Sequence, residues 1–322
     1  MNISFAIICF VLSLVVTVIL MPLFINVLKK HHVNQSVSEY ALESYKKKDK
    51  TPIMGGLVFV VVPLLVYLIL NSESLNDPSM LMVIISYVGF CLVGFADDIM
   101  IILRGNNDGL SPKLKLFLEF IIVVVIYIIF KDNLSFSIDV PFINGGLSIN
   151  PIIFLIFIIL LYLAEANAVN FTDGMDGLCA GVSAIGLLAF LIISYKLNNQ
   201  NMFIFILTII GGLIGYLFFN FHPAKIFMGD SGSLALGALF TSIAIVLDKE
   251  IALFFIGGVF VIEMFCVCLQ LLSVKLFHKR VFSYTPIHYA FVLKGNKETK
   301  VVIGFYLVAL ILSLIGLFVG LH

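Results

Sequence analysis

"NAVNFTDGMDGLCAG", Asn167 to Gly181, lies between two apolar runs centred near Ile158 and Ala184. Within it Asn167, Asn170, Asp173 and Asp176 recur at every third position. A helix turns by about 100° per residue, so such a series drifts around a straight helix and ends far from the face where it began. A break is therefore expected near Phe171–Gly174, with Gly174 and Gly177 letting backbone come close to a ligand. Two amides and two carboxylates there suit recognition of a base or sugar by hydrogen bonds. The flanking runs decide the fold, because each is long and apolar enough to want a bilayer.

The same reading extends along the chain. Hydrophobic residues make up 61% of the 322 and charged residues 12%, too few charges to coat a soluble globule. Ten apolar runs are centred near Val15, Val61, Ser86, Val124, Ile158, Ala184, Ile209, Ala238, Val261 and Leu310. They are continuous rather than alternating with period two, which argues against a closed barrel. The expected fold is an all-α polytopic membrane protein of ten transmembrane helices, one domain over residues 1–322, without a solenoid repeat. The first run has no basic n-region and is followed by lysines, so it reads as a retained helix. Five cysteines lie in or at the ends of apolar runs, an odd number that argues against a disulfide framework.

Sixteen of the nineteen Lys and Arg fall in alternate loops, leaving Lys131, Lys196 and Lys249 for the other side. The positive-inside rule then puts the basic loops in the cytoplasm and both termini outside. The outer loop Lys131–Asn150 alternates apolar and polar residues around Asn144-Gly145-Gly146 and reads as a short extracytoplasmic β-hairpin. Most other connections are short, so most helices are expected to pack against their sequence neighbours.

Five aspartates sit at the cytoplasmic ends of helices: Asp97, Asp98, Asp173, Asp176 and Asp230. A carboxylate at a membrane boundary is costly and usually kept for function. Asp173 and Asp230 each precede an apolar run and suit an N-cap. Asp97-Asp98 read as closing a helix where its dipole disfavours negative charge, which favours a site over caps. Neighbouring helical residues project about 100° apart, so the pair cannot aim at one atom. Oxygen donors beside Lys46, Lys47, Lys48, Lys50, Lys113 and Lys115 suit Mg²⁺ with phosphates, and no His/Cys cluster suits zinc. A transporter would keep its acids near the midplane, where only Glu263 is plainly placed, as a packed polar residue.

The motifs "TPIMGG" (51–56), "GFADD" (94–98), "GLSPKLK" (109–115), "NAVNFTDGMDGL" (167–178), "NFHPAKIFMGDSGSLALG" (220–237) and "KRVFSYTPIHYAFVLKG" (279–295) follow one another in order. In this the chain resembles the phospho-N-acetylmuramoyl-pentapeptide transferase family, from about Gln35 into the last helix. The resemblance implies a multi-pass protein of the bacterial plasma membrane, usually a homodimer, with a cytoplasmic Mg²⁺ site. It also implies a reaction: UDP-N-acetylmuramoyl-pentapeptide and undecaprenyl phosphate give lipid I and UMP in peptidoglycan biosynthesis. Membrane lipid is the surrounding partner, and nothing calls for nucleic acid.

By motif position the resemblance makes Asp230 the Mg²⁺ ligand and Asp97 and Asp98 catalytic carboxylates, Asp98 facing the lipid phosphate as base or nucleophile. Asn170 and Asp173 would line the metal and phosphate region. Lys48, Asp176 and Phe227 correspond to uracil-contacting positions, Lys115 would hold phosphate, and Asn220 would support the centre. His288 matches the first histidine of a His-His-His motif, which here continues Tyr289-Ala290. Further departures are Tyr45, Lys50, Ile53, Ile101 and Val292. They fall on the substrate-facing side, which implies retained chemistry with altered contacts to the nucleotide sugar. The alternatives are a sister enzyme transferring N-acetylglucosamine-1-phosphate to a polyprenyl phosphate and, from another class, a secondary transporter.

Overall fold

The computed structural model describes residues 2–31, 33, 51–105, 108–141, 143 and 146–322. Each of the ten apolar runs is helical. They are α1 (Ile3–Lys30), α2 (Gly56–Leu70), α3 (Pro78–Arg104), α4 (Pro112–Phe130), α5 (Pro151–Thr172), α6 (Leu178–Lys196), α7 (Gln200–Asn220) and α8 (Asp230–Val246), then α9 (Glu250–Ile256) with α10 (Gly258–Phe277), and α12 (Glu298–Leu321). A short helix, α11 (Ile287–Leu293), precedes the last. Among the described residues, α1, α3, α5, α6, α7, α10 and α12 are long and apolar enough to cross a membrane. α2 and α8 are shorter, at 15 and 17 residues, and α4 carries Lys113, Lys115 and Glu119. The chain is an all-α polytopic membrane protein.

Local chemistry sets the helix ends. α3, α4 and α5 each begin with proline, whose missing N–H costs nothing in a first turn. Asp77, Ser111 and Asn150 stand before those prolines and accept from Ser79, Leu114 and Ile152 amides at 3.0, 3.3 and 2.9 Å. The run near Val261 divides at Gly257 into α9 and α10, which the continuous apolar sequence does not announce.

Helix neighbours in space are mostly not neighbours in sequence, contrary to the expectation from short loops. α3 packs along α8, α1 along α7, α5 along α8 and α6 along α12. α8 is buried on every side from Ser231 to Ile245. Its sequence "SGSLALGAL" explains this, since small residues let helices approach where lipid offers no hydrophobic drive between them. The approach is closest at Gly94 of α3, where a Cβ would stand 2.1 Å from the Asp230 carbonyl oxygen. Short loops set which ends lie together; residue size sets which helices touch.

The loop after α4 holds one antiparallel pair of two-residue strands, β1 (Ser137–Ile138) and β2 (Leu147–Ser148), with Ser137 opposite Ser148 and Ile138 opposite Leu147. Its expected turn at Asn144-Gly145 lies outside the described residues. Asp139 pairs with Lys249, and the Ser135 hydroxyl donates to Asp248, tying this loop to the α8–α9 turn.

Candidate active site

At the opposite end of the bundle, the C-terminal ends of α5 and α7 meet the N-terminal ends of α2, α4, α6, α8 and α12, with the last turns of α3 beside them. α5 stops at Thr172, as the drifting polar series requires, and Asp173–Gly177 form a turn before α6. Two tyrosines hold that turn: the Tyr289 hydroxyl donates to the Gly174 carbonyl at 2.9 Å, and Tyr306 to the Gly177 carbonyl at 2.6 Å. Asn220 braces it from α7, accepting from the Gly177 amide at 2.9 Å and donating to the Ile226 carbonyl at 2.9 Å.

Asp97, Asp98 and Asp230 converge. Asp230 is the first residue of α8 and the most open of the three, its side chain 21% exposed. Its carboxylate pairs with the Lys115 ammonium and accepts from the Asn170 amide at 2.7 Å. Asn170 also reaches the Ser233 hydroxyl at 2.8 Å, one turn along α8. Asp97 accepts from the Leu110 amide at 2.9 Å and interacts with both Asp230 and Lys115. Asp173 lies beside them, its carboxyl pushed up to about 7 by burial and the Asp230 charge, with the Gly229 amide pulling the other way.

Asp98 differs from the sequence reading. α3 does not close at the acid pair but runs on to Arg104. The Asp98 carboxylate is wholly buried and accepts from the amides of Asp230 and Ser231 at 2.9 and 3.0 Å. It therefore caps α8 from another helix, while Gly229 supplies no side-chain cap of its own. The premise that caps leave the pair unexplained fails for Asp98, because the capped helix lies elsewhere in the sequence. The charge suits that place: a carboxylate at the positive end of α8, held by two N–H groups. Asp97 and Asp98 do aim apart, Asp97, also buried, at the Gly109–Leu110 loop and Asp98 at the first turn of α8.

Asp176 is buried, and its Oδ2 accepts from the Ala224 amide at 3.1 Å and contacts His222 Nδ1 at 2.8 Å. Its own amide donates to Glu298 at 3.0 Å. Asp176, His222 and Glu298 thus join three connections, with ligand atoms within 4.8 Å of one another. Phe227 is half-buried. Its backbone pairs with "TPIMGG": the Phe227 amide donates to the Pro52 carbonyl and the Gly55 amide to the Phe227 carbonyl, both at 2.8 Å. Lys48 lies outside the described residues.

His288 is wholly buried on α11. Its Nδ1 meets Glu263 Oε1 at 3.0 Å, while Glu263 Oε2 accepts from the Ile287 amide at 2.7 Å. The other nitrogen, Nε2, faces Gly174, where a Cβ would stand 2.3 Å away. Glu263 thus orients the imidazole toward the Asp173–Gly177 turn. Glu119, absent from the sequence reading, is also wholly buried and accepts from Asn167 Nδ2 at 2.8 Å. Glu165, within α5, is buried too, so Glu263 is not alone among deep acids. Glu119 had a readable signal, standing one turn after Lys115 on one helix face.

Around Asp230 stand the carboxylates of Asp97 and Asp173 and the Asn170 side-chain amide, whose NH₂ donates to Asp230, and a lysine ammonium already rests on the most open carboxylate. That fits a hard divalent cation bound with phosphates. The family model described as glycosyl transferase family 4 matches residues 80–248. A phospho-N-acetylmuramoyl-pentapeptide-transferase of Staphylococcus aureus (strain bovine RF122 / ET3-1) is 43% identical over 319 residues, 97% of this chain and 98% of the relative. A Staphylococcus epidermidis protein of the same name is 41% identical over 320 residues, with the same coverage. The chain belongs to the phospho-N-acetylmuramoyl-pentapeptide transferase family.

Proposed function

We propose that this protein transfers phospho-N-acetylmuramoyl-pentapeptide from its UDP-linked donor to undecaprenyl phosphate, releasing UMP and forming lipid I. One observation carries the reading: Asp97, Asp173, Asp230, Asn170 and Lys115, drawn from four helices, meet at one rim of an otherwise apolar bundle. Full-length similarity to proteins named for this reaction supports the same choice. The ten helical runs are read as ten spans with both termini outside, the hairpin loop outside and the site on the cytoplasmic face. A homodimer in the bacterial plasma membrane is carried over from the family resemblance.

In this reading Asp230 holds Mg²⁺, with Asn170 fixing its carboxylate and Asp173 beside it. Bound there, the ion would neutralise diphosphate charge and stabilise departing UMP. Lys115 shares that charge once its ammonium turns to phosphate oxygen. Phosphoryl transfer asks mainly for alignment and charge neutralisation, so rigid support matters more than a strong base. Asp98 supplies such support by fixing the first turn of α8, and with it Asp230. That geometry favours Asp97, nearer the cleft, as the carboxylate that meets the lipid phosphate. Asp176, Phe227, Asn220 and the Tyr289-pinned turn form the nucleotide side, and His288 points Nε2 toward it.

The test is UMP release from purified protein in liposomes containing undecaprenyl phosphate, with the UDP-muramoyl-pentapeptide donor. Release that stops with EDTA and returns with Mg²⁺ is expected, and Asp230→Asn should lower it by at least about 10³-fold. EDTA-resistant release, or an active Asp230→Asn protein, would remove the metal assignment.

A further inference from the structure

Two polar rungs cross from α4 to α5, one turn apart. The outer rung is Lys115–Asp230–Asn170, with Asp230 contributed by α8. The inner rung is Glu119–Asn167, where Asn167 Nδ2 also donates to the Leu163 carbonyl at 2.9 Å. Lys115 and Glu119 are spaced i, i+4 on α4, and Asn167 and Asn170 are spaced i, i+3 on α5, so each pair shares a helix face. Glu119 is 0% exposed. Its Oε2 is satisfied by Asn167, but Oε1 has no hydrogen-bond partner among the described residues.

A buried carboxylate oxygen without a donor is costly and calls for a cation or an N–H. The helix geometry names the group within reach. Side chains lean toward the helix N-terminus, so Glu119 leans back over the turn that carries Lys115. Lysine is a compact charge on a flexible stem, and rotation of that stem moves the ammonium between neighbouring turns without moving backbone. A divalent ion arriving at Asp230 meets a like charge already there, and the two repel. The lysine must then leave Asp230.

We propose that Glu119 is a positioning residue that receives the Lys115 ammonium when a divalent cation takes Asp230. Glu119 lowers the cost of displacing the lysine and keeps it beside the cleft, ready for a phosphate oxygen. This rests on the reading that Asp230 binds the cation.

The experiment is a Mn²⁺ titration of the full chain in lipid nanodiscs without substrate, following free Mn²⁺ by electron paramagnetic resonance. Five proteins are compared: wild type, Glu119→Gln, Lys115→Met, their double variant and Asp230→Asn. Glutamine keeps an acceptor for Asn167 and loses only the charge. Glu119→Gln should weaken Mn²⁺ binding about tenfold in the wild-type background, as expected for a directly coupled pair. Lys115→Met should bind Mn²⁺ at least as tightly as wild type, because the competing ammonium is gone. In that background the Glu119→Gln change should be less than about twofold. Glu119→Met, an apolar chain of similar length, carries the same prediction should the glutamine variant melt early. An equal loss in both backgrounds would show Glu119 acting as a distant charge and overturn the proposal, as would no loss in either. If Asp230→Asn binds Mn²⁺ like wild type, the cation reading itself fails and this proposal falls with it. If Asp230→Asn abolishes binding while Glu119→Gln is silent, only this proposal falls.

Discussion

Asp98 and Asp97 are adjacent in sequence and opposite in surroundings. Asparagine at 98 offers one acceptor and turns an NH₂ toward a second backbone N–H, leaving that buried donor unpaired. Asp98→Asn should therefore lower stability by about 1–3 kcal/mol as well as turnover. Asp97 is buried but accepts from one amide, which an asparagine oxygen still takes, so Asp97→Asn should lose turnover with a nearly unchanged melting temperature. Thermal melting and UMP release on the two variants separate these outcomes; equal melting temperatures would show that Asp98 does not fix α8. Sequence spacing announced that the two side chains diverge. It was silent on the partner, because Ser231 stands 133 positions from Asp98 and only the α3–α8 contact brings them together. Glu263 was legible as a buried, hydrogen-bonded residue, but its orientation of His288 depends on how α11 folds back.

Among the elements, α8 bears most directly on the site. A 17-residue apolar helix, preceded by glycine and rich in small residues, occupies the centre and presents Asp230 at its first position. Gly94→Ala is the sharp test of that packing. The added methyl meets backbone at 2.1 Å, which no side-chain rotation relieves. The variant should lose at least about 1–3 kcal/mol of stability and most turnover, read by melting and UMP release. A stable, active Gly94→Ala protein would mean that α3 and α8 stand farther apart. All ten apolar runs were legible as helices, since continuous hydropathy needs no knowledge of neighbours. The pairing of α1 with α7 and α3 with α8 was not, because hydropathy says where a helix sits in depth and nothing of what lies beside it. The division at Gly257 escaped for the same reason, both halves being equally apolar.

For the whole molecule, the proposed orientation puts the acidic cleft on the cytoplasmic face and the β1–β2 loop across the membrane from it. With the native cysteines replaced, a cysteine at the exposed Asn133 should react with an impermeant maleimide on intact cells. One at the exposed Lys279 should react only after the membrane is opened. The reverse pattern would invert the orientation. The most direct measurement compares donors on the wild-type protein. With Mg²⁺ and undecaprenyl phosphate, UMP should be released from UDP-N-acetylmuramoyl-pentapeptide with a kcat/KM at least about 10²-fold above that for UDP-N-acetylglucosamine. UMP released from UDP-N-acetylglucosamine alone would contradict the account.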